Sequence, residues 1–494
     1  MKKFYITTTL PYANFDVHIG FALEIVQTDV IARYKHLLGN EVIFSTGTDE
    51  HGLKIYRAAL ENNKSPQEYV NYYSSQFAKL KDVLNLSLTN FIRTTEPRHI
   101  KAAQEFWNLC SANSDIYKKN YKIKYCVGCE LEKTDSELVD GCCPIHPNLK
   151  IEEIEEENYF FKFSNYRNRL LKFYKENPKF VVPDFRFNEI KTFVEKGLND
   201  FSISRLKSKM PWGIPVPGDP EHVIFVWFEA LVGYISTLGW PDDKNTFNSF
   251  WPGVQTAGKD NLRQQSAIWQ AMLMSAGLPN SKQILIHGFI TVDRQKISKS
   301  LGNIIDPFHL VKKYGVDPVR YYLLREIPSY EDGDFSYEKF EARYNADLAN
   351  NLGNLVSRVV ALIDKSFNRS FSYHRKFVSK EVDDKIIETW KKYNQSINEF
   401  KLHIALENVF SLIDFANLYV DEHKPWTLSS DPERLNAVIT DLVVILLNVA
   451  WLLKPFLLGT SDKIFGIIGA DKDGKSWEEK PFLVKPEILF PKIQ

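Results

Sequence analysis

The chain has 494 residues, 44% of them apolar, which is too long for one ordinary domain and enough to bury several cores. Its 62 Lys and Arg balance 62 Asp and Glu. That neutrality excludes adhesion to nucleic acid by bulk charge, so such a partner would have to be held by local patches and specific contacts.

From the N-terminus, Met1-Lys2-Lys3-Phe4 leads into a threonine-rich strand pattern and not into the apolar core of a signal peptide. Residues 4 to 9 are β-prone, and Leu23, Val26, Val30, Tyr34 and Leu37 then recur at steps of three and four, which predicts strand, loop and helix. Glu41 to Ser45 reads as a second buried strand ending at Gly47-Thr48-Asp49-Glu50-His51-Gly52, and a long helical pattern follows from Ser65. Strands alternating with helices predict an α/β fold with a doubly wound parallel sheet. The rhythm breaks between 116 and 222, which reads as an insertion; its acidic run, Glu152 to Glu157, reads as a solvated surface. Strand character resumes at Val223 to Phe228 and ends at Ile284 to Ile286. From about 338 to 460 apolar residues recur at helical spacing, as at Leu348, Leu352, Leu355 and Val359, predicting an α-helical bundle. The closing segment, with Pro481, Pro486 and Pro491, reads as an extended tail packed on the body. The longest apolar run, Leu442 to Leu453, contains Asn448 and is too short to span a bilayer, so the expectation is a cytoplasmic protein without a membrane segment. With no added C-terminal module visible, a monomer is expected.

Four of the five cysteines crowd between Cys126 and Cys143. Cys126-x2-Cys129 and Cys143-x2-His146 are two half-sites with the spacing of a structural zinc knuckle, closed because four protein ligands leave no open position. Cys142 is a rival third ligand, although Cys143-Pro144-Ile145-His146 gives the usual spacer. Cys110, and by default Cys142, read as plain thiols.

His18 and Gly20 fall at a strand-to-helix turn, where free N–H groups face a phosphate. Gly20 lets adenine or ribose lie close to the backbone, while His18 can donate to a phosphoryl oxygen as charge shifts. Far along the chain, Lys296-Ile297-Ser298-Lys299-Ser300 sets two lysines on a small-residue loop, able to neutralise departing pyrophosphate. Alone, the first motif marks a helix cap as often as a nucleotide site; the two in order point to adenylate chemistry.

His18-Ile19-Gly20-Phe21 and Lys296-Ile297-Ser298-Lys299-Ser300 resemble the two signature elements of class I aminoacyl-tRNA synthetases. The segments Leu10-Pro11-Tyr12-Ala13-Asn14, Gly47 to Gly52, Val226-Trp227-Phe228-Glu229-Ala230-Leu231 and Gly258-Lys259-Asp260 resemble the methionyl branch in particular. The resemblance implies a Rossmann-like catalytic sheet interrupted by a single-knuckle insertion and followed by an anticodon-binding helical domain. It implies activation of methionine with ATP and Mg2+, then transfer to the terminal adenosine of tRNA(Met). Asp49 would hold the substrate ammonium, and Leu10, Tyr12, Trp227, Ala230, Leu231 and Tyr234 would enclose the thioether, which favours aromatic edges. Gly258, Asp260 and His287 would line ribose or adenine, Lys259 the phosphates, with His18, Gly20, Phe21, Lys296 and Lys299 completing the ATP site. Asn354, Arg358 and Trp426 would contact the anticodon, as Asn, Arg and aromatic residues suit splayed single-stranded bases. Without the resemblance, the aromatics would read as core and Arg358 as an ion-pair partner.

Two positions depart from the pattern. Phe21 stands where the branch has a second histidine, removing one donor near the phosphates, and Gln264-Gln265 replaces an aromatic-histidine or proline-histidine pair facing the methionine pocket. If that helix start still lines the pocket, at least one glutamine amide has to be satisfied by neighbours. The expected divisions are 1–115 and 223–325 for the two catalytic halves, 116–222 for the insertion with its knuckle at 126–146, 326–345 for a stem-contact linker and 346–494 for the helical domain and tail. The alternatives are a tRNA-independent adenylating paralogue and a catalytically inactive RNA-binding regulator.

Overall fold

The strands that the β-prone runs build come together in one parallel sheet. They are β1 (Lys3–Thr7), β2 (Glu41–Thr48), β3 (Asn90–Arg93), β4 (Val181–Val182), β5 (Val254–Gly258) and β6 (Gln283–His287). Among the described residues the order is β3-β2-β1-β5-β6-β4, and each neighbouring pair is parallel. β5 is buried along its whole length, as expected of a parallel strand covered on both faces. The order reverses between β1 and β5, so the loops after these two strands open at the switch point where doubly wound sheets bind ligands. This computed structural model describes residues 1–494 apart from 130, 134, 298–301, 473–476, 479 and 494. The chain divides into two units, 1–17 with 35–287, and 18–34 with 288–494.

Within the first unit, the insertion is antiparallel. Ile116–Cys126 pairs with Glu152–Phe161 over ten residue pairs, from Ile116 opposite Phe161 to Tyr125 opposite Glu152. The acidic run is therefore a strand: Glu153, Glu155 and Glu157 are exposed, as a solvated face requires, while Glu156 points inward and meets Lys209 at 3.2 Å. Across the strands, Lys122 reaches Glu153 at 2.7 Å. The expected strand Val223–Phe228 splits in two. Asp219–Ile224 is a strand of a separate three-stranded antiparallel sheet, and Val226–Ala230 turns into a short helix. An all-apolar run carries no period to tell a strand from a buried helix. β5, Val-Gln-Thr-Ala-Gly, is neither an apolar run nor an alternating one, and no sequence signal singles it out.

In the second unit, a helix at Ile19–Leu37 contributes Asp29, which meets the buried guanidinium of Arg320 at 2.7 Å. Arg320 also donates to the Phe456 and Pro455 carbonyls at 2.7 and 3.2 Å, so this buried charge is satisfied on several sides. The helices Asn354–Phe367, Lys380–Asn398, Leu402–His423, Pro432–Leu453 and Leu458–Ile468 make the bundle. Pro432–Leu453 has 22 residues, and by length and composition it passes as a membrane span, correcting the estimate from the Leu442–Leu453 run alone. Within this fold 78% of its most apolar window is buried. Its Asn448 accepts from Trp390 at 2.8 Å and its Asp441 from Tyr419 at 2.6 Å, the partnered polar groups of a core helix. The tail packs as expected: Phe482–Leu483 pairs with Ser370–Phe371, and Tyr344 donates to the Pro491 carbonyl at 2.8 Å.

Candidate active site and metal centre

Beyond β1 the chain runs on as Leu10-Pro11-Tyr12, and beyond β2 as Asp49-Glu50-His51. The two segments pair: Asp49 N–H donates to the Pro11 carbonyl and Ala13 N–H to the Asp49 carbonyl, both at 2.9 Å. This bridge pairs Asp49 with Tyr12 through the backbone. Tyr12 meets Trp227 edge-on, with centroids 6.4 Å apart at 81°. Trp227 and Ala230 lie on the Val226–Ala230 helix, and Leu231 and Tyr234 follow in the next turn, both buried, with Leu10 packed on their cluster. Among the described residues the Trp227 indole N–H is buried with no hydrogen-bond partner, a donor left for a ligand. The structure thus gathers Leu10, Tyr12, Asp49, Trp227, Ala230, Leu231 and Tyr234 at one end of the sheet.

The expectation for the glutamine pair holds at Gln265, whose amide donates to the Tyr234 hydroxyl at 2.6 Å and accepts from Gln255 at 3.2 Å. Gln264 is buried as well, and its amide oxygen has no partner among the described residues. Both lie in a five-residue π-helical turn, Gln264–Ile268, an irregularity that often marks functional positions.

Below the pocket lies a set of charged residues that the sequence did not single out. Glu229 is fully buried and holds two imidazoles: His51 Nδ1 at 3.0 Å from one carboxylate oxygen and His99 Nε2 at 2.8 Å from the other. Burial pushes its carboxyl up, but the two imidazoles outweigh that and hold it below the ordinary carboxylate range. Next to His51, Glu50 takes a two-point contact from Arg93 at 2.7 and 2.9 Å. The loop bearing Asp49 is thereby fixed to the helix bearing Trp227. The partners are separated by 43 to 178 positions, so no local spacing could have revealed them.

The residues expected at the nucleotide fall on both units. In the first, Gly258 ends β5 directly opposite His287, which ends β6, and Lys259 and Asp260 form the turn that follows. In the second, Gly20 N–H donates to His18 Nδ1 at 3.1 Å. Burial lowers the imidazole to about 4, so His18 is neutral at pH 7 and its proton sits on Nε2, leaving that nitrogen a donor. A Cβ on Gly20 would lie 2.8 Å from the His18 ring, so this position needs glycine for the close approach. Phe21 is buried in the first turn of the same helix. Lys296 ends a hairpin, Ile290–Val292 with Gln295–Lys296, turned by Asp293 and Arg294 at positive φ, and its carbonyl accepts from Asn303 at 3.1 Å. Lys299 lies outside the described residues.

The knuckle gathers Cys126, Cys129, Cys143 and His146, whose donor atoms all lie within 4.8 Å of one another. Cys126 Sγ is 3.8 Å from His146 Nδ1, and Cys129 Sγ is 3.9 Å from Cys143 Sγ. Three thiolates and an imidazole fit a tetrahedral metal, and a Cβ on Gly128 would stand 2.5 Å from the His146 ring, so the glycine makes room for the fourth ligand. Cys142 is outside the cluster. Cys110 is a buried thiol pushed up to about 12 by desolvation, which leaves it inert. The knuckle also touches the pocket: Lys54 donates to the Gly128 carbonyl at 3.2 Å with its ammonium 5.6 Å from the Tyr12 ring centre.

In the bundle, Asn354 is exposed at the start of its helix and Arg358, one turn on, is held by Asp421. Pro425–Thr427 is a single 3-10 turn, and it leaves Trp426 51% exposed.

The family model for tRNA synthetases class I (M) matches residues 4–153 and 146–360, which defines the chain as a class I aminoacyl-tRNA synthetase by fold and sequence. The methionine–tRNA ligase of Thermotoga maritima is 43% identical over 99% of this chain and 80% of its own length, and that of Brucella melitensis 40% over 99% and 98%. The solved structure of Mycobacterium tuberculosis methionyl-tRNA synthetase in complex with methionyl-adenylate is similar with a TM-score of 0.93 at 36% identity, covering 99% of this chain and 100% of that one. The chain belongs to the methionyl-tRNA synthetase family.

Proposed function

We propose that this chain activates L-methionine with Mg-ATP and transfers the methionyl group to the 3′-terminal adenosine of tRNA(Met). The observation that carries this reading is the backbone bridge that pairs Asp49 with Tyr12, with Tyr12 edge-on to Trp227. A carboxylate suits an ammonium, and aromatic edges suit a thioether.

In the first step a methionine carboxylate oxygen attacks the α-phosphorus, the bond to the β-phosphate oxygen breaks and pyrophosphate leaves. In the second, an adenosine hydroxyl attacks the acyl carbon and AMP departs. Asp49 holds the ammonium, and Leu10, Tyr12, Trp227, Ala230, Leu231 and Tyr234, with Gln264 and Gln265, hold the side chain. His18, neutral with its Nε2–H, donates to a phosphoryl oxygen, beside Gly20 and Phe21. Lys296 and Lys299 neutralise pyrophosphate, Gly258, Asp260 and His287 take the ribose and adenine, and Lys259 the phosphates. Zinc, bound by Cys126, Cys129, Cys143 and His146, closes the knuckle, and Asn354, Arg358 and Trp426 receive the anticodon. The protein acts as a cytoplasmic monomer, and the divisions at 1–115, 116–222, 223–325, 326–345 and 346–494 mark its working parts.

Amino-acid-dependent exchange of pyrophosphate into ATP tests the reading. Exchange with methionine supports it, and equal exchange with leucine or cysteine overturns it. Lys299→Ala slows adenylate formation more than it weakens methionine binding. Trp426→Ala costs charging about 1–3 kcal/mol and leaves exchange intact, which separates a tRNA ligase from a tRNA-independent paralogue.

A further inference from the structure

Behind the pocket, a chain of neutral side chains runs from a backbone amide to the Tyr234 hydroxyl, and its hydrogen-bond direction is set at the backbone end. Ser281 N–H donates to Gln270 Oε1 at 3.0 Å, and an N–H cannot accept. That makes Oε1 the accepting end of the Gln270 amide, with Asn280 also donating to it at 3.1 Å. Gln270 Nε2 must then donate, and it does so to the Gln265 carbonyl at 2.8 Å and to Ser281 Oγ at 3.1 Å. Having accepted there, the Ser281 hydroxyl gives its hydrogen to Gln255 Oε1 at 2.5 Å. Gln255 Nε2 donates to Gln265 Oε1 at 3.2 Å, and Gln265 Nε2 donates to Tyr234 Oη at 2.6 Å. Running Gln255 and Gln265 the other way would point the Ser281 hydroxyl hydrogen at an amide NH2. The sense of each amide therefore follows from bonding and not from an arbitrary choice of oxygen and nitrogen.

We infer that Gln255, Gln270 and Ser281 are positioning residues that fix the Gln265 amide with its NH2 toward Tyr234, and through it set the specificity of the side-chain end of the pocket. The inference rests on the reading of this site as a methionine pocket. A tyrosine that accepts from Gln265 cannot donate to it, so its hydroxyl hydrogen is directed away from the relay. A directed O–H favours a side chain that offers a lone pair, such as a thioether, over one that offers only CH2. A histidine at 265 would be able to switch between donor and acceptor with its tautomer and charge; the amide relay holds one sense.

The test compares kcat/KM for methionine with that for norleucine, which carries CH2 in place of sulfur, in pyrophosphate exchange. Gln255→Glu is the decisive variant. An ionised carboxylate accepts from Ser281 and also demands a donor from Gln265, so the Gln265 amide turns over and Tyr234 must donate inward. The methionine-to-norleucine ratio falls by about tenfold, equivalent to 1.4 kcal/mol, mainly through a rise in KM for methionine with kcat little changed. The groups hydrogen-bonded along the relay (Gln265, Gln270, Asn280, Ser281 and Tyr234) carry no charge at neutral pH, so the introduced carboxyl titrates among them, and acidification, which returns its proton as a donor, restores the ratio. Ser281→Ala, which removes one hydroxyl, gives a smaller fall in the same direction and serves if Gln255→Glu does not fold. A ratio unchanged within twofold in a folded variant that still activates methionine overturns the relay alone. Failure of the unsubstituted protein to activate methionine overturns the pocket reading, and the relay's role with it.

Discussion

The metal knuckle and the amino-acid pocket share the first unit but are assembled in different ways. All four knuckle donors come from one stretch, 126 to 146, and two short spacers bring them together. The pocket draws on Leu10 to Asp49, on helix turns from Val226 to Tyr234 and on Gln255 to Ser281. It is held from below by Glu229 with His51 and His99, and from behind by the amide relay. A local site depends on its ligand and a few residues of chain, whereas a distributed site depends on the sheet that carries its parts. Damage to the first should stay local, and damage to the second should spread.

Metal removal is the largest way to test that contrast, because structural zinc supplies about 10–16 kcal/mol of binding free energy in small peptides. Chelation is expected to release about one zinc per chain and to raise hydrogen exchange across 121 to 150, with β1, β5 and β6 and the helical bundle still protected. Loss of protection in the sheet would break the comparison, and finding no zinc in carefully purified protein would remove its premise.

Glu229→Ala tests the distributed side. Deleting the carboxylate leaves two buried imidazoles without their hydrogen-bond partner, at about 1–3 kcal/mol for each, measured as a shift in the denaturation midpoint. Faster exchange should appear together at His51, at His99 and along 226–236, although these segments are remote in sequence. A purely local change around Glu229 would mean the imidazoles do not couple the Asp49 loop to the Trp227 helix.

Gly128→Ala sharpens the local side. Its Cβ would press on the His146 ring at 2.5 Å, and relieving such overpacking costs about 1–3 kcal/mol. Metal affinity, followed by competition with a chromophoric chelator, should fall while pyrophosphate exchange at saturating zinc changes little. A large fall in exchange would show that the Lys54 link to Gly128 and Tyr12 transmits the disturbance to the pocket.

Acid is expected to act more gently, through the other unit. His18 is held near 4 by burial, against about 6.5 in an unfolded chain. Between these values the unfolded state binds more protons, so stability falls as pH drops from about 6.5 to about 4 and is insensitive to this group above that window. His18→Asn should flatten that part of the curve.

The sequence by itself picked out the four donors that the structure gathers, Cys126, Cys129, Cys143 and His146, because a Cys-x2-Cys and Cys-x2-His spacing is a local geometric requirement. It determined the parallel α/β sheet from alternating strand and helix patterns, the helical bundle from period, and the pairing of Tyr12, Asp49 and Trp227 through resemblance. It misassigned Val226–Phe228, which carries Trp227, as strand, because a buried apolar run lacks a period, and it overlooked β5, whose Val-Gln-Thr-Ala-Gly is neither an apolar run nor an alternating one. Tertiary structure alone decided that Glu229 lies between His51 and His99, that Gln265 is satisfied through Gln255 and turned toward Tyr234, and that Pro432–Leu453 is buried with Asp441 partnered. Each of these joins residues that only the packing of separate elements brings within 3.2 Å, and a buried polar group declares its partner only once water has been excluded from both.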